Sequence, residues 1–360
     1  MPGREGIMRC TFEAINEDLP GPRWRQVFEQ YWPAYRQWYL RDGGRSRPGF
    51  LMCRKALRSY MPELIPTWER LVALSGGGDL EARFLSMWAP PPYVAGCSQA
   101  VWLPAPAGAR AGGTPALLRN YDFAPGLLEG VWLASRWHGR RVLAVSDCLW
   151  GALDGINESG LAASLSFGGR QEVGEGFGIP LVMRYVLEFA ENVDEAVAIL
   201  SRVPVHMSYT VTLLDRQAAW ASVFVTPDRT VEVVRRQAVT NLQHGVEWAA
   251  HAEATHAAQR QEALGIAVKQ AHHQNDVLRA LLQPPLFQTA YGRGHGTLYT
   301  AVYYPADSAV EMVWPDATWR QSCRQFQPGA RLIDFDVDSG ADGAPPTSHR
   351  WVLDDVGSFQ

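Results

Sequence analysis

The chain has 360 residues, 47% hydrophobic and 19% charged, enough for one large domain or two ordinary ones, and its 14 Trp and 33 Gly separate it from disordered chains. A net charge of -4 argues against general nucleic-acid binding, which needs a basic surface. Of the 33 basic residues only Lys55 and Lys269 are lysines, so a Schiff-base mechanism has little to draw on and a catalytic base must come from elsewhere.

Helices dominate the first third. Trp24, Phe28, Tyr31, Tyr35 and Trp38 fall on one helical face, with Pro33 expected to kink or break it. A second amphipathic run, Leu51 to Leu74, is interrupted by Pro62 and Pro66, and a short helix from Asp79 to Trp88 runs into Pro90-Pro91-Pro92.

Beyond the prolines, short β-branched and aromatic segments predict strands at Ser98 to Leu103, Ala116 to Tyr121, Leu143 to Leu149 and Gly160 to Phe167. More follow at Tyr209 to Asp215, Ala219 to Thr226, Thr230 to Arg236, Thr297 to Tyr304 and Ala309 to Trp314. Two helical blocks interrupt them, Ile179 to Val203, broken near Asn192, and Glu247 to Leu282, broken near Gln274. Strands, helices, strands, helices and strands in that order predict a layered α+β sandwich. The acidic stretch after Phe335 reads as a loose tail.

The five cysteines (Cys10, Cys53, Cys97, Cys148 and Cys323) are scattered without a C-x-x-C pair, so neither disulfides nor a metal site is expected. Charges at Arg4, Glu5 and Arg9 with no apolar run behind them, and no span of about 18 apolar residues, predict a cytoplasmic protein without a membrane partner.

The junction after the prolines carries the chemistry. Gly96-Cys97-Ser98 puts a cysteine at the start of the first strand after the prolines, behind a stiff extended lead. Cleavage before Cys97 would give one residue both a thiol and an α-amine, and an amine of pKa about 7.7 to 8 accepts the thiol proton near neutral pH. Downstream, Arg119-Asn120-Tyr121-Asp122 ends a strand in a polar cluster, Gly155-Ile156-Asn157-Glu158-Ser159-Gly160 reads as a turn, and Thr240-Asn241 ends a strand with an amide able to serve an oxyanion hole. Plainer roles stand beside these: Asp122 as a turn cap, Asn157 as a turn residue, Asn241 as a local backbone partner, Arg119 in a surface ion pair.

These motifs, in this order and with Gly296-Thr297-Leu298-Tyr299-Thr300, resemble the autoproteolytic N-terminal-nucleophile (Ntn) acyltransferases and hydrolases of the isopenicillin N acyltransferase type. That family is related to penicillin V acylase and choloylglycine hydrolase. The resemblance implies a four-layer αββα sandwich preceded by a mainly helical leader: leader 1-96, catalytic body 97-335, tail 336-360. It implies cleavage between Gly96 and Cys97, an acyl-enzyme on Cys97, Asp122 orienting the nucleophile's amine and Asn241 in the oxyanion hole. Arg119, Asn157 and Arg293 follow as substrate-binding or supporting residues. No cofactor is expected. The expected partners are a small-molecule acyl donor, acyl-CoA among the possibilities, and an amine or water acceptor, with the cleaved leader staying bound. A simple amidohydrolase on N-acyl amino acids, penicillin-like or dipeptide-like amides is the alternative within the class, and a silent ligand-binding member of the fold the alternative outside it.

Overall fold

Alternation along the strands assigns each side chain to one of two faces, and the three largest apolar cores among the described residues follow from it. The computed structural model describes residues 6–104, 112–291 and 295–337. Strand β1 (Gly6–Asn16) precedes helices α1 (Pro22–Tyr39), α2 (Phe50–Tyr60), α3 (Ile65–Leu74) and α4 (Asp79–Leu85). Strands β2 (Gly96–Trp102), β3 (Ala116–Phe123), β4 (Val131–Ser135), β5 (Val142–Asp147), β6 (Gly151–Asn157) and β7 (Ala162–Phe167) lead into α5 (Ile179–Phe189) and α6 (Val193–Arg202). Then come β8 (Tyr209–Leu214), β9 (Trp220–Val225), β10 (Glu232–Val234) and β11 (Ala238–Val239), followed by α7 (Ala249–Ala254), α8 (Ala257–Gln270) and α9 (Gln274–Leu281). The described chain ends with β12 (Thr289–Ala290), β13 (His295–Tyr304), β14 (Ala309–Trp314), β15 (Ala317–Ser322) and β16 (Gly329–Val337).

Among the described residues these strands form two sheets. The nine-stranded sheet has the order β10-β9-β8-β7-β6-β5-β4-β1-β16, and the seven-stranded sheet runs β11-β2-β3-β13-β14-β15 with β12 on β13. Phe12, Trp132, Leu143 and Leu153 of the first meet Val101, Leu117, Tyr299 and Met312 of the second in the core between them. On the outer face of the nine-stranded sheet, Val131, Leu133, Val142 and Ala144 pack with α5 and the leader helices. On the outer face of the other, Ala100, Leu118 and Val302 pack under Leu264 of α8 and Val277 and Leu281 of α9. Helix, sheet, sheet, helix is the expected αββα sandwich.

Three expectations change. The leader opens on a strand: β1 lies between β4, parallel, and β16, antiparallel, inside the large sheet. Helix α1 continues through Pro33, with Trp24, Val27, Phe28, Trp38 and Tyr39 buried. A proline removes only one amide donor, and the packing of this face compensates. Strand β16 runs past 335 to Val337, because Asp336 pairs in register with Ile7. The break near Asn192 falls where expected, its side chain accepting from the Glu195 N–H at 3.0 Å as an N-cap.

Two indole hydrogen bonds tie the leader to the body: Trp24 Nε1 donates to Leu149 O and Trp150 Nε1 to Leu85 O, both at 2.9 Å. Among the described residues no helix is long and apolar enough to cross a membrane.

Candidate active site

Cys97 is the second residue of β2, and the ladder sets Gly96 opposite Asp122 and Cys97 opposite Tyr121 on β3. Directly paired residues share a face, so the thiol and the Tyr121 ring both enter the core between the sheets. A Cβ on Gly96 would lie 3.2 Å from the Asp122 Cβ, so the strands cross at this point with room for glycine and little more.

The thiol has no exposure, and its surroundings are polar and charged. Arg119, two residues before Tyr121 on β3, donates from Nη2 to Cys97 Sγ at 3.1 Å. Its Nη1 donates to Asp154 Oδ2 at 3.0 Å and to Leu153 O at 3.2 Å. Tyr299 closes the group by donating its hydroxyl to Asp154 at 3.2 Å. Burial pushes the Cys97 thiol up to about 11, although Arg119 draws it the other way. In the uncut chain the group is therefore a thiol at neutral pH.

A second arginine holds the backbone side. Arg260, in the first turn of α8 and fully buried, donates from Nη1 to Cys97 O at 2.7 Å, to Ser98 Oγ at 2.8 Å and to Asp122 Oδ2 at 3.3 Å. Its Nη2 donates to Asn241 Oδ1 at 2.8 Å. The same Asn241 oxygen accepts the Cys97 N–H at 3.1 Å, while Asn241 Nδ2 donates to Ala95 O and Phe167 O, each at 3.1 Å. Asn241 thus grips the chain on both sides of the Gly96-Cys97 bond. The backbone here leaves no room for a side chain at Gly169, which has φ +75° and whose Cβ would fall 2.1 Å from Asn241 O. Asp122 Oδ1 accepts from Thr297 Oγ1 at 2.7 Å, and burial raises its pKa against the pull of Arg260.

The family model for acyl-coenzyme A:6-aminopenicillanic acid acyl-transferase matches residues 109–319, more than half of the chain. The chain belongs to that family. Its matched segment contains Arg119, Asp122, Asn241 and Arg260 and begins downstream of Cys97. No curated protein matches this member of the acyl-transferase family. Among solved structures, penicillin V acylase from Agrobacterium tumefaciens is 16% identical, with 66% of this chain and 86% of that chain covered at TM-score 0.44. A mutant conjugated bile acid hydrolase from Clostridium perfringens is 11% identical, with 65% and 96% covered at TM-score 0.43. The N-acylethanolamine-hydrolyzing acid amidase ortholog of Caenorhabditis elegans is 13% identical, with 66% and 99% covered at TM-score 0.40.

Of the residues expected from sequence, Cys97, Arg119, Asp122 and Asn241 converge. Asn157 does not join them: its Nδ2 donates to Leu187 O and Ala190 O at 3.0 and 2.8 Å, and its Oδ1 accepts the Leu161 N–H, so it ties β6 to the end of α5. Arg293 lies outside the described residues. Asp122 reaches Cys97 through Arg260, whose Nη1 donates to both Cys97 O and Asp122 Oδ2. Sequence reading missed Asp154 and Arg260. Asp154 adjoins the Gly155-Ile156-Asn157 motif and was within reach of it, whereas nothing marks Arg260 among so many arginines. Among the described residues no group of three or more His, Cys, Asp or Glu is placed to hold a metal ion.

Proposed function

We propose that this family member is a self-processing cysteine enzyme that cleaves its own Gly96-Cys97 bond and then carries acyl groups on Cys97. The observation that supports it best is the pair of contacts on one residue: Arg119 at Sγ and Asn241 at the amide nitrogen of the same cysteine.

In processing, Sγ attacks the Gly96 carbonyl, the thiol proton passes to the Cys97 nitrogen, and the peptide becomes a thioester. Water then releases a Gly96 carboxylate and a Cys97 bearing both thiol and amine. In turnover the amine takes the thiol proton, and the thiolate attacks an amide or thioester carbonyl. The leaving amine or thiol departs with that proton, and an amine or water takes the acyl group from sulfur. Once the Ala95 carbonyl moves away, Asn241 Nδ2 is free to donate to the developing oxyanion, a contact whose deletion costs roughly 3 to 4 kcal/mol. Arg119 supports the thiolate, and Asp122 acts through Arg260 as a positioning residue.

Intact mass under denaturing conditions tests the processing step. Wild type is expected as two fragments, the larger beginning at Cys97, and Cys97→Ala as one full-length chain. A wild type that stays whole, together with amidase and acyltransferase activity unaffected in Cys97→Ala, overturns the reading. Thiol release from an acyl-CoA in the presence and absence of a free amine separates transfer from hydrolysis.

A further inference from the structure

Tyr121 joins two surroundings. The Arg119 guanidinium, which donates to the Cys97 sulfur, lies 5.0 Å from its ring centroid. The same residue lines a cavity of about 100 Å³ between the leader and the body. Tyr31, Tyr35 and Trp38 of α1 and Tyr93, just ahead of the junction, supply its remaining aromatic walls.

Two carboxyls line this aromatic enclosure, Glu129 and Asp147, and no arginine or lysine does. Glu129 is 3% exposed. Its Oε1 accepts the Leu149 N–H at 2.7 Å and the Tyr35 hydroxyl at 2.5 Å, while its Oε2 is buried with no hydrogen-bond partner. The neighbouring Ser146 hydroxyl makes no hydrogen bond within normal geometry, yet lies close enough to Glu129 to favour its ionised form. Asp147, partly exposed, lies 3.4 Å from the Tyr35 hydroxyl, which itself receives the Cys148 N–H at 2.9 Å. Cys148 and Leu149 deliver these amides from φ +53° and +73°, a left-handed conformation that side-chain-bearing residues adopt at a cost. Strain of this kind persists where the surroundings hold it, commonly at ligand sites. A buried acceptor without a donor costs about 1 to 3 kcal/mol, so a donor that reached this carboxyl would be stabilised, a cationic one more than a neutral one.

We propose that this cavity is the acyl subsite and that it takes a short acyl chain ending in a primary ammonium group. Aromatic faces attract a cation, and the ammonium gives Glu129 and Asp147 the counter-charge that the chain itself withholds. With liquid water at about 30 Å³ per molecule, the volume fits roughly three or four heavy atoms beyond the carbonyl. Helix α1 forms part of the wall, so the leader is part of the substrate site. The role as acyl subsite rests on Cys97 as the acyl carrier; the cation preference does not.

Two measurements on the full chain test the inference. In the first, propylammonium chloride and 1-propanol are titrated calorimetrically into Cys97→Ala protein, with and without Glu129→Gln; Asp147→Asn serves if the glutamine variant does not fold. Saturable binding of propylammonium alone, weakened roughly tenfold by the neutral side chain, is expected. Equal binding to both proteins, or none, overturns the site. The second compares 4-aminobutyryl and pentanoyl p-nitroanilides on wild type. A preference of about tenfold in kcat/KM for the amino compound, lost in the same variant, is expected. Turnover indifferent to the ammonium overturns the subsite, whereas propylammonium binding without turnover of either anilide overturns the Cys97 reading and leaves the cation site standing.

Discussion

At the scale of single residues the surroundings of Cys97 are governed by buried charges that depend on one another. Arg119 and Asp154 are both fully buried and 3.0 Å apart, so removing one leaves the other without its counter-charge. Arg119→Met is expected to cost about 3 to 5 kcal/mol of stability. Adding Asp154→Leu should restore part of that, as measured by urea denaturation of both variants. The carboxyls of the aromatic cavity give a pH prediction. Burial and the neighbouring Glu129 raise Asp147 from 3.8 to about 7. Between these values the unfolded chain releases a proton that the folded chain keeps, so this group's contribution to stability falls as pH rises through the window and is level above it. Asp147→Asn removes that dependence. Urea midpoints from pH 4 to 8 should decline less with rising pH in the variant, and its stability relative to wild type should improve across the range.

Single elements show which residues sit where sequence placed them and which serve packing instead. Cys97 and Asp122 lie near the ends of β2 and β3 and Asn241 just beyond β11, as their motifs suggested, whereas Arg119 sits in the middle of β3 and reaches the thiol from there. Asn157 belongs to the same kind of motif, yet its amide is spent on the α5 carbonyls. Asn157→Ala is expected to lose about 1 to 3 kcal/mol, since it strands the Leu187 carbonyl and the Leu161 N–H, while the Ala190 carbonyl keeps Arg140. Turnover per folded molecule should be unchanged, which paired melting and kcat measurements would show. One of the strands that sequence reading missed was hidden by its composition. Strand β6, Gly151–Asn157, carries two glycines and an aspartate, a composition with poor strand propensity, and holds its form between β5 and β7. The Glu247 to Leu282 block breaks a second time at Thr255 and His256, where His256 takes φ +51°, a break without a glycine or proline to announce it.

Across the whole molecule, the leader is bound as a piece of the body. Strand β1 is flanked on both sides in the nine-stranded sheet, and α1 packs on its outer face with Trp24 hydrogen-bonded to Leu149. Cleavage at Gly96-Cys97 should therefore leave two fragments that elute together near 40.0 kDa and separate only in denaturant. A native column that resolves them would contradict this. The sheet also explains why the first strand was hard to read: its antiparallel partner, β16, begins at Gly329, at the other end of the described chain. No local signal announces a pairing at that separation.

The sequence by itself determined a layered α+β sandwich, several helix break points and the motifs that meet at Cys97, because periodicity and turn chemistry act over a few residues; the αββα order came with the family resemblance those motifs carry. It also determined the scarcity of lysine, which leaves lysine chemistry little to draw on. Tertiary structure alone decided that Arg260 and, through Arg119, Asp154 are gathered around Cys97, that Asn157 stands apart from them, and that a leader helix walls a cavity holding two carboxyls. Those outcomes depend on which distant segments share a buried volume: once water is excluded, a charge must be answered by whatever the fold brings beside it.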